Sequence, residues 1–196
     1  MDAQPLQARA GDDDALMARI ARRDASAFTL AVEVHAARLH RIAYRMTGDA
    51  GEAEDVAQEA MLRLWAQAGT WRPGKAGIGA WLSRVAINLC LDRLRRRRFA
   101  SDQEPPEQVD QSAAADEQIA AAQLRDRALA ALARLNERQR AAIVLTYYEE
   151  MSNMAAAAAL EMNLKAFESL LLRARSAMRA ALAEAGLVSF SGEPAA

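Results

Sequence analysis

The stretch that most constrains the fold runs from Ala76 to Arg98, AGIGAWLSRVAINLCLDRLRRRR. Its first two-thirds places Ile78, Trp81, Leu82, Val85, Ala86, Ile87, Leu89, Cys90 and Leu91 almost all the way round a helix. A helix that is apolar on every side belongs in the middle of a core. The polar exceptions, Arg84, Asn88 and Asp92, recur every fourth residue. With Trp81 and Arg95 they form one narrow strip able to reach solvent or a ligand. The character then switches: five arginines fall in the seven residues Asp92 to Arg98. A buried helix that emerges as a dense cation is an anchor with a charged working end.

The rest of the composition limits what can surround that helix. The chain has 196 residues, 52% hydrophobic and 26% charged, which is globular in character. Alanine, leucine and arginine dominate and aromatic content is 5%, so an all-helical protein is expected. The single cysteine, Cys90, lies inside the apolar helix, which excludes a disulfide framework and reads as a small buried hydrophobe. The first residues are polar and acidic, and no apolar run approaches the roughly 20 residues that span a bilayer, so a cytoplasmic chain without a signal peptide is expected.

The net charge of −1 hides a pattern. Residues 1–98 hold 16 Lys/Arg against 12 Asp/Glu, residues 99–117 hold six acidic and no basic residues, and residues 118–196 hold 9 against 8. Basic charge is local, so near-neutrality does not argue against a nucleic-acid partner.

Met1 to Gly11 lacks periodicity and reads as a disordered tail. A helix is expected from Asp12, with Asp13 and Asp14 at its positive end and Leu16 and Ile20 inward. Asp24 can cap the next helix, whose Phe28, Val32, His35, Leu39, Ile42 and Met46 step by three or four until Gly48 stops it. Asp49 and Glu52 form a capping-box-like start for AEDVAQEAMLRLWAQA. That helix buries Val56, Ala57, Ala60, Met61, Leu64 and Trp65 and turns Asp55, Gln58, Glu59 and Leu62 the other way. The carboxylates also suit the helix dipole, so simple N-terminal stabilisation competes with a binding role. The loop TWRPGKAGIG lacks the GxxxxGK[ST] spacing and no strand precedes it, so it is not a phosphate loop.

Phe99 to Ala115, with two prolines and many polar residues, is the clearest boundary and reads as an exposed linker. Beyond it, Asp116 starts a helix carrying Ile119, Leu124, Leu129 and Leu132. Asn136 and Gln139 make a second capping-box signal, Ser152 caps a short helix, and Asn163 caps a last long one. Ser152 to Arg175 has the length of a DNA-binding helix-turn-helix. Its second helix leaves Lys165, Glu168, Ser169, Leu172 and Arg173 on one face, types suited to base edges and phosphates. An ordinary helical hairpin with a solvated face would look the same. The combination favours DNA: two separated contacts on a tether suit two boxes on one duplex.

At this point the chain resembles a bacterial sigma factor of the extracytoplasmic-function (ECF) class, in the sigma-70 family. AEDVAQEAMLRLW at 53–65 is similar to the family's D-V-x-Q-E-x-[FM]-L-x-x-[WY] polymerase-binding helix. GAWLSRVAINLCLDRLRRRR at 79–98 is similar to its W-L-x-x-[IV]-[AV]-x-N-x-x-x-D-x-x-R-R helix. LARLNERQRAAIVLTYYEEMSNMAAAAALEMNLKAFESLLLRARSAMR at 132–179 is similar to its −35-binding module. The resemblance covers nearly all of residues 12–184, and three such motifs in order are specific.

The resemblance implies an all-α chain of two small helical domains: region 2 at 12–98, an acidic flexible linker at 99–117, and a four-helix helix-turn-helix region 4 at 118–185. It implies that Asp55, Gln58, Glu59 and Leu62 meet the clamp helices of the polymerase β′ subunit, and that region 4 meets the β flap. Asn88, with Trp71, Lys75, Arg84 and Asp92, would serve the −10 element, where an unstacked base is captured. Arg93, Arg95, Arg96, Arg97 and Arg98 would hold phosphates, while Trp81 is expected in the core. Lys165, Glu168, Ser169, Leu172 and Arg173 would face the −35 major groove. An anti-sigma factor, soluble or membrane-anchored, is the implied regulator. No cofactor, metal or small-molecule substrate is expected.

The chain departs from the pattern at Met154 and Ala155, where an acidic residue is usual, at Asn136 in place of proline, and at Glu168, where many relatives are basic. Glu161 replaces the turn glycine, which predicts a non-glycine residue at positive φ. A stand-alone helix-turn-helix regulator and a sigma mimic that titrates an anti-sigma factor are the competing readings. An enzyme is not expected: His35 and His40 do not share a helix face and no nucleophile set is visible.

Overall fold

The computed structural model describes residues 4–72, 77–100 and 116–187, with side chains described for 12–72, 77–99 and 123–187. Every regular element among them is helical. The first module holds α1 (Gln4–Ala21), α2 (Ala25–Thr47), α3 (Ala50–Gln67), a short 3-10 turn (Ala68–Thr70) and α4 (Gly77–Ala100). The second holds α5 (Asp116–Ala133), α6 (Glu137–Ile143), a π-helical turn (Val144–Tyr148), α7 (Asn153–Ala159) and α8 (Leu164–Glu184).

The helix starts follow the capping chemistry. Asp24 accepts from the backbone N–H groups of Ser26 and Ala27 at 3.0 and 3.1 Å. Asn136 and Gln139 form a full reciprocal box at the start of α6. Ser152 and Asn163 accept from Ala155 and Ala166 at 3.2 and 2.8 Å. At α3 the expected box is half made. Asp49 accepts from the Glu52 N–H at 2.8 Å, but the Glu52 carboxylate is taken by Arg97 from α4. Gly48 ends α2 at φ 74°, where its N–H donates to the Tyr44 carbonyl at 2.8 Å.

One expectation is overturned at the N-terminus. Helix α1 begins at Gln4, not Asp12, so residues 4–11 are helical rather than tail-like. Pro5 sits in the first turn, where a missing N–H costs no helical bond. Of the linker expected at 99–117, residues 101–115 lie outside the described residues, while Phe99 and Ala100 continue α4 and Asp116 and Glu117 already belong to α5.

The body of α4 is buried as its pattern requires. Ile78, Leu82, Ala86, Ile87, Leu89 and Cys90 are closed off, and Trp81, Val85 and Leu91 are partly so. One side packs on α1, α2 and α3, and the other side meets α6 and α7 of the second module. The buried side chains of both modules form one continuous cluster. Burying each of the large aliphatic residues contributes roughly 1.5–3 kcal/mol. Burial pushes the Cys90 thiol up to about 12, so it stays protonated at neutral pH.

Arg140 joins the modules from inside. Its guanidinium donates to the Leu132, Ala133 and Leu135 carbonyls at the end of α5, at 2.9, 2.8 and 3.3 Å. It also donates to the Met46 carbonyl, near the end of α2. The negative ends of two helices thus stand in for a carboxylate. Burial holds the Arg140 guanidinium below its ordinary pKa.

Candidate nucleic-acid interface

The arginine-rich end of α4 is not one uniform cation. Arg93 lies against α3, pairing with Glu59 at 3.1 Å and Asp55 at 3.8 Å and donating to the Glu52 carbonyl at 3.3 Å. Arg97 pairs with Glu52 and stands 4.0 Å from Asp49. Arg95 pairs along its own helix with Asp92 at 2.9 Å. Arg96 and Arg98 are exposed and hold no salt bridge among the described residues, although Arg98 lies over the Phe99 ring. The expected phosphate set therefore divides: two arginines are neutralised on the acidic face of α3, one is paired locally, and two are open.

The polar strip of α4 lies along its solvent side. Arg84 is exposed, and Asn88 and Asp92 are partly exposed. Trp81 packs against the core and meets Trp71 edge to face, with centroids 6.2 Å apart and planes at 85°. Trp71 is half-buried and its indole N–H donates to Asp14 at 3.1 Å. Lys75 lies outside the described residues. Trp71, Trp81, Arg84 and Met17 line a cleft of about 440 Å³, whose far wall is Met151 and Ala155 of the second module.

The four residues expected to meet polymerase also divide. Asp55 and Glu59 face Arg93, as above. Gln58 and Leu62 instead line a groove of about 540 Å³ between α2 and α3, with Phe28, Val32, His40 and Met61. Leu62 is 64% exposed at the groove, beside the apolar side chains that line it. Phe28 and Val32 were expected inward from their spacing. They are partly buried and form the groove wall, a role periodicity does not separate from core packing.

In the second module, α7 and α8 are joined by the turn Leu160–Asn163. Glu161 takes φ 53°, the left-handed conformation expected where a glycine is replaced. The turn is held by the Met162 N–H donating to the Ala157 carbonyl at 3.0 Å. Phe167, Leu170, Leu171 and Ala174 seat α8 on the core. Lys165, Glu168, Ser169, Leu172 and Arg173 all lie exposed on its outer face, Leu172 at 69%. The hydroxyl of Ser169 donates to the Lys165 carbonyl at 3.0 Å, and Arg173 donates to the Ser169 carbonyl at 3.2 Å. A feature not anticipated is Arg175, which donates to the Tyr147 hydroxyl on the π-helical turn.

The modules touch through polar contacts that sequence spacing does not reveal. Arg38 of α2 pairs with Glu149, which also accepts from the buried Ser83 hydroxyl at 3.4 Å. Arg84 of the polar strip pairs with Glu161 in the helix-turn-helix turn at 2.9 Å. Arg45 lies 4.3 Å over the Tyr148 ring. No cluster of three metal-ligating side chains and no helix able to cross a membrane occurs among the described residues.

Comparison with known proteins agrees with this layout. The family model "Sigma-70 region 2" matches residues 31–100, and "Sigma-70, region 4" matches residues 125–178. The ECF RNA polymerase sigma factor SigL of Mycobacterium tuberculosis is 36% identical over 189 residues, 87% of this chain and 99% of that protein. SigE of Mycolicibacterium smegmatis, described likewise, is 36% identical over 157 residues, 78% of this chain, which spans 60% of that protein. The sigma factor RpoE of Bartonella quintana, solved with the anti-sigma factor NepR, superposes with TM-score 0.64 at 25% identity, covering 80% of this chain and 96% of that one. The chain belongs to the ECF class of sigma-70 family RNA polymerase sigma factors.

Proposed function

We propose that this chain binds core RNA polymerase, directs it to promoters with −35 and −10 boxes, and helps melt the −10 element. The observation that carries the proposal is the pair of open surfaces on one chain. The apolar groove walled by Leu62, Met61, Phe28 and Val32 suits a protein helix. The polar face of α8 suits a major groove. A regulator acting without polymerase would need only the second.

In this reading Gln58 and Leu62 seat the β′ clamp helices, with Asp55 and Glu59 at the edge. Region 4 also rests on the β flap. Trp71, Lys75, Arg84, Asn88 and Asp92 serve the unpaired −10 strand, and Arg96 and Arg98 meet the phosphates beside it, while Arg93, Arg95 and Arg97, expected in the same set, are held by carboxylates. Lys165, Glu168, Ser169, Leu172 and Arg173 read the −35 duplex. Catalysis stays with the polymerase. The Bartonella relative is held by an anti-sigma factor, and an inhibitor of the same kind would control this chain by covering its polymerase surfaces.

Titrating labelled chain with core polymerase tests the proposal. Tight binding of the wild type, and a loss of at least about tenfold for Leu62→Glu, is the expected result. Sequence-specific duplex binding by the free chain, with no affinity for core, would instead identify a stand-alone regulator.

A further inference from the structure

Helix α1 carries two carboxylates whose partners, the Trp71 indole and the Ile78 backbone N–H, lie outside α1 itself. Asp14 accepts from the Trp71 indole N–H at 3.1 Å. Asp13 accepts from the Ile78 backbone N–H at 2.8 Å, in the first turn of α4. The helix macrodipole and the unpaired N–H groups of a first turn favour a carboxylate there, and here it comes from another helix.

The neighbouring backbone is shaped around that carboxylate. Gly77 has φ 68°, and a Cβ added to it would stand 2.6 Å from Asp13 Oδ2. A Cβ there would crowd the Asp13 carboxylate, and glycine adopts that φ without steric cost. Trp71 is fixed twice, by the Asp14 hydrogen bond and by its edge-to-face contact with Trp81. Trp81 and Arg84 follow Ile78 by three and six residues along α4, so a held first turn also sets their positions. These residues line the cleft where the Trp71 ring meets solvent. Asp13 and Asp14 lie outside the segment matched by the region 2 family model.

We propose that Asp13 and Asp14 are positioning residues for promoter-strand recognition. Asp14 sets the plane of the Trp71 ring and Asp13 sets the first turn of α4, so that the aromatic and basic groups of the cleft are pre-arranged for an unpaired base. Stacking on an aromatic ring is effective when the ring need not be ordered during binding. The inference rests on the sigma-factor reading above.

The test uses full-length chain bound to core polymerase and a single-stranded DNA pool randomised over the −10 positions. Sequencing of retained strands gives the preference, and the enriched strand gives an affinity. The Asp13→Ala/Asp14→Ala chain should bind the enriched strand about tenfold more weakly and with a flattened base preference. Asp13→Asn/Asp14→Asn should stay within about twofold, because an amide oxygen accepts the same N–H groups. Trp71→Phe should remove the effect of adding Asp14→Ala, the signature of a coupled pair. Affinity for core should be unchanged throughout. Wild-type preference in the double-alanine chain, or a parallel loss of core affinity, overturns the inference. If the wild-type complex enriches no strand, the sigma-factor reading falls and this inference with it. That outcome is distinct from a wild type that selects and an alanine variant that selects equally well.

Discussion

Glu149 and Arg38, 111 residues apart in sequence, meet at 2.5 Å across the two modules. The Glu149 side chain is only 4% exposed, and Ser83 supplies its second contact. The π-helical turn is what aims it. The Glu149 N–H donates to the Val144 carbonyl at 3.1 Å, five residues back, and the extra residue swings Glu149 toward α2 and α4. Glu149 is the buried member and Arg38 is about a third exposed, so the carboxylate is the partner that depends on the contact. The pair ties α2 to the segment before α7, alongside Arg140 and the shared core. In that arrangement Arg84, expected to face the −10 strand, is engaged by Glu161 of the helix-turn-helix.

In the proposed function the modules reach two boxes set apart on one duplex, and that reading calls for them to part. Glu149→Ala should shift the free chain toward an open form. Small-angle scattering should show the radius of gyration rising by several ångströms above the about 16 Å expected of a compact chain of this length. The charge-swapped chain Arg38→Glu/Glu149→Arg should return toward the compact value. An unchanged radius in Glu149→Ala would show that the pair does not hold the modules.

The arginines of α4 should separate by experiment as they do in space. Arg96→Ala/Arg98→Ala should lower promoter affinity and flatten its dependence on salt, by roughly one unit of slope per lost phosphate contact. Arg93→Ala should change that slope less and lower thermal stability more, because Arg93 ties α4 to Glu59 and Asp55. Equal slope changes for both would mean that Arg93 leaves its carboxylates to meet DNA.

Asp55→Ala/Glu59→Ala should weaken core binding less than Leu62→Glu does. The carboxylates already face Arg93, whereas Leu62 is open on the groove. The double variant should also loosen α3 from α4, seen as a lower melting temperature. A core affinity that falls most for the carboxylate pair would place polymerase recognition on charge rather than on the groove.

Acid should weaken the start of α2. The Ser26 hydroxyl, the Ala27 N–H and Arg19 hold the Asp24 carboxyl well below the usual carboxylate range. A carboxyl with a depressed folded pKa contributes stability above its unfolded pKa, near 3.8, and loses it as pH falls toward the folded value. The melting-temperature gap between wild type and Asp24→Ala should therefore be full at pH 6 to 7 and narrow below about pH 4. A gap independent of pH would assign the cap to neutral hydrogen bonding alone.

Much of the fold was legible because helix starts carry their own chemistry. Asp24, Asn136, Ser152 and Asn163 each cap where their side chains predict. The all-round apolarity of α4 announced burial, but periodicity reports that a face is covered, not by what. The second cover is α6 and α7, contributed from beyond the linker. The same limit hid the Glu149–Arg38 pair and the reach of Asp14 to Trp71, contacts 111 and 57 residues apart. Asp13 and Asp14 read in the sequence as dipole partners at a helix start, but α1 begins at Gln4 and places them mid-helix, and nothing local points to another helix. The exposed face of α8 was readable because its five residues share one helical period. The division of the α4 arginines was not, since a run of like charges does not say which members meet carboxylates across the core. The start of α1 at Gln4 is not legible because residues 4–11 have no apolar stripe, and propensity alone sets no boundary.

The most direct measurement is run-off transcription on a fragmented genomic DNA library, with core polymerase alone and with this chain added. Discrete transcripts that appear only with the chain, share two upstream boxes and vanish with Leu62→Glu are the expected result. Transcription from core that is unchanged by the chain, alongside duplex binding that needs no polymerase, would contradict it.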